Sequence, residues 1–159
     1  MKIGSTNENK NFEKRISITP EIAKKYVNLG FEVQLSENYG KHLGFEKKEY
    51  AEAGVKFISD DKELIKSADI IVQMNLPDEG KASLLKSEQI LIGVLNPYEN
   101  KKQLNELASK KVNLFSLELL PRITRAQSMD ILSSQANLAG YKAVIESFST
   151  FEKAIPMMM

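Results

Sequence analysis

The chain has 159 residues, 42% of them hydrophobic and 27% charged, with 22 Lys+Arg against 21 Asp+Glu and a formal net charge of +1. That length suits one domain with a real core, and the balanced charge gives no electrostatic case for nucleic acid or an anionic membrane as partner. There is no cysteine, which excludes disulfide, thiolate and Cys-ligated metal chemistry and makes a reducing cytoplasm the simplest setting.

In chain order, a β-rich run at Lys2–Ser5 precedes a helix at Glu21–Leu29, a strand at Glu32–Leu35 and a helix at Lys47–Ala53. A strand at Lys56–Ile58, a helix at Lys62–Lys66, a strand at Asp69–Met74 and a helix at Asp78–Lys86 follow. Then come a strand at Gln89–Leu95, a helix at Asn100–Lys110 and a strand at Val112–Ser116. This alternation predicts an α/β fold, a doubly wound and mostly parallel sheet with helices on both faces. The near-continuous apolar runs "ADIIVQM" and "QILIGVL" suit central strands buried on both sides. Thr19-Pro20-Glu21 reads as N-cap, N1 proline and first-turn acid, and Leu29-Gly30 and Ala53-Gly54 read as helix stops. Strand order is not legible in such a pattern.

From about Arg125 to Phe151 only Gly140 interrupts a helical texture, which predicts a final helix roughly 40 Å long. The expected division is 1–124 as an α/β domain and 125–159 as a long helix leading onward. No apolar stretch approaches the ~20 residues of a membrane-spanning helix, so the chain by itself is expected to be soluble.

The helix entrance, "PRITRAQSMD", concentrates Arg122, Gln127 and Asp130. Thr124 and Gln127 have the spacing of a capping box, and Asp130 would favour the helix dipole. Equally, the three offer a rigid donor fork, a donor–acceptor amide and an acceptor for hydroxyls, a set that suits a polar, anionic or ribose-bearing ligand. Arg15 stands just before a helix N-terminus, where an anion is welcome. The strand ends carry Gln73, Asn75 and Asn96, which orient ligands but shuttle no proton at neutral pH. His42 lies in a Gly-rich loop and reads as solvated. There is no metal-ligand spacing, no Ser–His–acid set and no G-x-G-x-x-G among the eight glycines, so the sheet is flavodoxin- or Rossmann-like without the dinucleotide fingerprint.

Four stretches carry a resemblance: "PRITRAQSMDILSSQANLAGYKAV", "EKRISITP", "NYGKHLGFEKKEYAEAGVKF" and "ADIIVQMNLP". They are similar to motifs of the N-terminal domain of the alanine dehydrogenase/pyridine nucleotide transhydrogenase family, over essentially the whole chain. The resemblance implies an N-terminal α/β domain, with "AIPMMM" leading toward a Rossmann NAD domain that holds the Gly-rich loop. In the dehydrogenase branch a lysine and a histidine at strand ends do acid–base work; their places here match Gln73 (or Asn75) and Asn96. Direct hydride transfer between nicotinamides needs no such shuttle, which favours the transhydrogenase branch.

On that resemblance Arg122, Gln127 and Asp130 would contact the nicotinamide end of NAD(H), as binding and catalytic residues, and Arg15, Gln73, Asn75 and Asn96 would line the substrate cleft. NADP(H) would be bound by a partner domain, and no metal is implied. The expected partners are the downstream Rossmann domain, the NADP-binding and membrane subunits of the same enzyme, and a second copy in a homodimer. The chain would lie on the cytoplasmic side, peripheral to the inner membrane, and the isolated fragment would be inactive. Two other readings stay open: an alanine dehydrogenase-like oxidoreductase fragment and a non-catalytic partner-binding module.

Overall fold

A computed structural model describes residues 1–154; residues 155–159, most of "AIPMMM", lie outside the described residues. Contacts divide the chain into two units, Met1–Leu117 and Glu118–Met159.

The first unit alternates strands β1 (Lys2–Ser5), β2 (Glu32–Ser36), β3 (Lys56–Ile58), β4 (Ile70–Asn75), β5 (Ile90–Val94) and β6 (Asn113–Ser116) with helices α1 (Pro20–Asn28), α2 (Lys47–Glu52), α3 (Asp61–Ser67), α4 (Glu79–Ala82) and α5 (Lys101–Ser109). The sheet order is β3-β2-β1-β4-β5-β6 and every pairing is parallel. The expected α/β class therefore holds, and the order is that of doubly wound dinucleotide-binding folds. Non-local pairing decides that order, which is why the local pattern could not show it.

Two apolar layers sandwich the sheet. Leu64 and Ile65 of α3, Ala82 of α4 and Leu107 of α5 pack on Ile71 and Leu91. On the opposite face Ala23 of α1 and Tyr50 of α2 pack with Ile3, Val33 and Leu35. Thr19 accepts from the Ile22 N–H and Pro20 occupies the first turn, so the expected start of α1 is right. Gly30 and Gly54, at φ 89° and 86°, end α1 and α2 in the left-handed region where glycine is unstrained. The helix expected over Asp78–Lys86 stops at Ala82. There the Leu84 and Leu85 amides bond three residues back, to Lys81 and Ala82, tightening the chain so that Leu85 is buried.

In the second unit a 3-10 turn spans Thr124–Met129 and helix α6 spans Ile131–Thr150. The long helix thus begins six residues later than Arg125 and is roughly 30 Å long. No side-chain cap forms at the start of the 3-10 turn, so the Thr124–Gln127 capping box does not form. Asp130 is the cap instead, accepting from the Leu132 and Ser133 amides at 3.0 Å each. Among the described residues no helix is long and apolar enough to cross a membrane.

Candidate functional site

In an open parallel sheet, connections at the carboxyl ends leave a crevice where the strand order reverses. Here the reversal falls between β1 and β4. A crevice of about 570 Å³ opens beside it, lined by Asn7, Glu8, Glu13, Gln73, Asn75 and Lys81 among others. All belong to the first unit.

The floor is built by an irregularity in β4. Its register against β5 shifts between Val72 and Asn75, and the Gln73 carbonyl comes so near Gly93 that a Cβ there would meet it at 2.7 Å. The Gln73 side chain, 4% exposed, turns onto β1. Its Oε1 accepts from Ser5 Oγ at 2.8 Å and Thr6 N at 3.0 Å, and its Nε2 donates to Thr6 Oγ1 at 2.8 Å. Ser5 Oγ also lies 2.9 Å from both Ser17 Oγ and Tyr39 Oη. Gln73 is thus a strut tying β4 to β1, with both ends of its amide engaged.

The wall comes from the β1–α1 connection. Asn9 holds it as a tight turn, its carbonyl accepting from the Phe12 and Glu13 amides at 2.9 Å each. Glu13 is buried and grips Arg15: Oε1 accepts from Nε at 2.8 Å and Oε2 from Nη2 at 2.6 Å. Asn75 Nδ2 donates to the same carboxylate at 3.3 Å. The Arg15 guanidinium holds the Glu13 carboxyl down at about 2, against the opposing effect of burial. Glu8 is the counter-case. Its Oε1 accepts from Met74 N at 2.7 Å and Asn75 N at 3.4 Å, yet burial, with Glu13 nearby, raises its pKa.

Lys81 enters from α4. Its ammonium donates to Thr6 Oγ1 at 3.2 Å and the Asn7 carbonyl at 3.1 Å, and pairs with Asp61 Oδ2 at 2.9 Å. Three protons meet three acceptors, so this lysine acts as a brace.

Of the residues expected at a cleft, Gln73, Asn75 and, through Glu13, Arg15 come together here. Asn96 sits after β5 in a left-handed turn, φ 47°, where its carbonyl accepts from the Glu99 and Asn100 amides and its side chain donates to Glu99. His42 is exposed, its Nε2 2.7 Å from the Lys14 carbonyl. In the second unit Arg122 and Gln127 are exposed. The Asp130 carboxyl is held low by Ser133 and, less strongly, by Arg122. The sequence reading missed Glu8, Glu13 and Lys81. The acids flanking Arg15 in "NENKNFEKR" were a usable signal, whereas Lys81 looks like any helix-surface lysine.

The β1–α1 connection spans residues 6–19 before the helix starts and offers no glycine turn for a pyrophosphate.

Fold and crevice define a doubly wound α/β domain with a polar switch-point site. The family described as alanine dehydrogenase/PNT, N-terminal domain, matches residues 4–139, and the chain belongs to it. It is 39% identical to the first portion of the NAD(P) transhydrogenase alpha subunit of Rickettsia prowazekii, over all of this chain and 43% of that protein. The crystal structure of a transhydrogenase from Sinorhizobium meliloti superposes with a TM-score of 0.87 at 37% identity, over 99% of this chain and 47% of that one. Alanine dehydrogenase of Methanococcus maripaludis is 27% identical over 91% of this chain and 38% of its own length. The chain therefore spans less than half the length of these relatives.

Proposed function

We propose that this chain is the N-terminal part of an NAD(P) transhydrogenase alpha subunit and forms one wall of its NAD(H) cleft. The step served is hydride transfer: H⁻ leaves C4 of the NADH dihydronicotinamide and bonds to C4 of the NADP⁺ nicotinamide, giving NAD⁺ and NADPH. No proton is gained or lost in it, so the protein's task is alignment and exclusion of water. NADP(H) would be held by a partner domain, and proton movement across the membrane would be coupled through other subunits. The assembly would be a homodimer with this domain peripheral to the membrane on its cytoplasmic side.

The observation that carries the reading is the chemistry of the strand ends. Gln73 is spent on Ser5 and Thr6, Asn96 makes a turn, and the ammonium of Lys81 has three acceptors. Imine formation and hydrolysis need a proton donor and acceptor, and the amides Gln73 and Asn96, at the places matching the dehydrogenase branch's lysine and histidine, supply neither. The domain division at about residue 124 belongs to the same proposal.

In this reading Arg122, Gln127 and Asp130 hold the nicotinamide and its ribose. Its support is local: with the capping box unformed, Gln127 is not engaged as a helix cap, and Arg122 is electrostatically coupled to Asp130. The test is transfer from NADH to an NADP⁺ analogue by the whole protein with its NADP-binding partner. Arg122→Ala and Gln127→Asn should each lower the rate on the order of 10- to 100-fold. Unchanged rates in both would remove these residues from the nicotinamide site.

A further inference from the structure

The crevice wall contains a linked set of contacts that crosses the switch point. Glu8, on the β1–α1 connection, accepts from the Met74 and Asn75 amides at the end of β4. The Asn75 side chain returns across the gap to Glu13 at 3.3 Å, and Glu13 holds Arg15 through both Nε and Nη2. Glu13 also accepts from the Arg15 backbone amide at 2.9 Å. Each contact constrains the next, and the chain's ends lie on the same loop.

We propose that Glu8 is a positioning residue for Arg15, its charge state setting the guanidinium through the Met74–Asn75 backbone, the Asn75 amide and the Glu13 carboxylate. An ionised Glu8 draws two amide hydrogens toward itself in charge-assisted bonds and repels Glu13 toward Arg15. A protonated Glu8 accepts more weakly and no longer repels Glu13. The end of β4, and Asn75 with it, relaxes, and the crevice gains one unit of positive charge.

Arg15 also feels the Glu8 charge directly through space, as a weaker effect than its bonds to Glu13, and the other charges around Glu8 are paired or capped. Glu13 faces it from its own loop and is paired with Arg15. Lys81 faces it from α4 and is paired with Asp61 of α3. Asp78, which lines the crevice after β4, accepts from the Lys81 amide as the cap of α4. Burial raises the pKa of Glu8 and the guanidinium lowers that of Glu13, so Glu8 is the carboxylate of this pair that titrates nearer neutrality. The consequence for nucleotide binding rests on the cleft reading above; the linkage from Glu8 to Arg15 does not.

The experiment is an NMR titration of the whole protein, following the Glu8 carboxyl carbon and the Arg15 Nε–H together between pH ~4.5 and ~8. In the wild type both should move with one common midpoint above the ordinary glutamate value. In Glu8→Gln the Arg15 signal should be flat, and in Glu13→Gln Glu8 should still titrate but move Arg15 by less than half as much as in the wild type, the remainder being its direct field; an equal movement in Glu13→Gln overturns the relay. An Arg15 signal that stays still while wild-type Glu8 titrates, or that titrates unchanged in Glu8→Gln, overturns the proposal. NADH affinity measured over the same range should change about three- to tenfold in the wild type and less than about twofold in Glu8→Gln. Coupled Glu8 and Arg15 signals with a pH-independent NADH affinity would uphold the linkage and overturn the placing of this crevice in the nucleotide cleft.

Discussion

At the residue scale the crevice is decided by how each polar group is satisfied. Buried polar atoms are expensive to leave unpaired, by roughly 1–3 kcal/mol each, and Gln73 engages three groups on Ser5 and Thr6 at once. Gln73→Leu, close in size and without the amide, should lower stability by about 1–3 kcal/mol in urea unfolding, since it leaves the buried Thr6 N–H without its acceptor. Glu13 gives a pH signature. Its folded pKa is depressed to about 2 from 4.5, so its contribution is present above pH 4.5 and is lost as pH falls from there toward 2. Glu13→Gln should cost about 1–2 kcal/mol at neutral pH and flatten that part of the acid-unfolding profile; an unaltered profile would deny the Glu13–Arg15 clamp a role in stability. Gln73 and Asn75 stood out in the sequence because strand ends are where ligands meet an open sheet, and Arg15 because it precedes a helix start; the first two line the crevice and Arg15 is joined to it through Glu13. Their roles were not legible, because whether an amide faces a ligand or a neighbouring strand depends on contacts between residues 67 or 68 positions apart in sequence, such as Gln73 with Thr6 and Ser5.

At the element scale local signals located most boundaries and failed where two geometries share one pattern. The strands follow from apolar runs, and the start of α1 follows from its Thr19 cap and Pro20. Six residues of "TRAQSM" fit a 3-10 turn as well as an α-helical one, and the competition is settled by Asp130, whose carboxylate meets the Leu132 and Ser133 amides and the Ser133 hydroxyl. Asp130→Ser should keep α6 intact by circular dichroism, whereas Asp130→Ala should fray its first turn. If Asp130 also holds the ribose, both variants should weaken NADH binding, and a Ser variant of undiminished affinity would leave it a cap only. The irregularity in β4 was equally invisible in "IIVQMN". It depends on Gly93 of the neighbouring strand, where a methyl group would meet the Gln73 carbonyl at 2.7 Å. Gly93→Ala should therefore cost about 1–3 kcal/mol and disturb Gln73 before it disturbs the core; a wild-type unfolding midpoint would contradict that close approach.

At the scale of the whole molecule the surface is unevenly covered. The layer of α1 and α2 packs on β2, β1 and the Ile70 and Val72 side of β4, while Ile90, Ile92 and Val94 on the same face are only half-buried and Phe115 of β6 is 55% exposed. Leu138, Tyr141, Val144 and Phe148 of α6 are exposed as well. An all-parallel sheet ordinarily has both faces covered, and the relatives are more than twice as long as this chain. These surfaces agree with a domain whose work is done alongside others, so the 159-residue chain alone should show no hydride transfer. The central claim of the proposal is that this chain serves hydride transfer between two nicotinamides, a step in which no proton is gained or lost. Its most direct test gives the whole protein, with its NADP-binding partner, two assays side by side: NADH with an NADP⁺ analogue, and NAD⁺ with alanine. Turnover in the first assay and none in the second is the result predicted. Turnover with alanine, and none between the nucleotides, would contradict the account and return the chain to the dehydrogenase branch of its family.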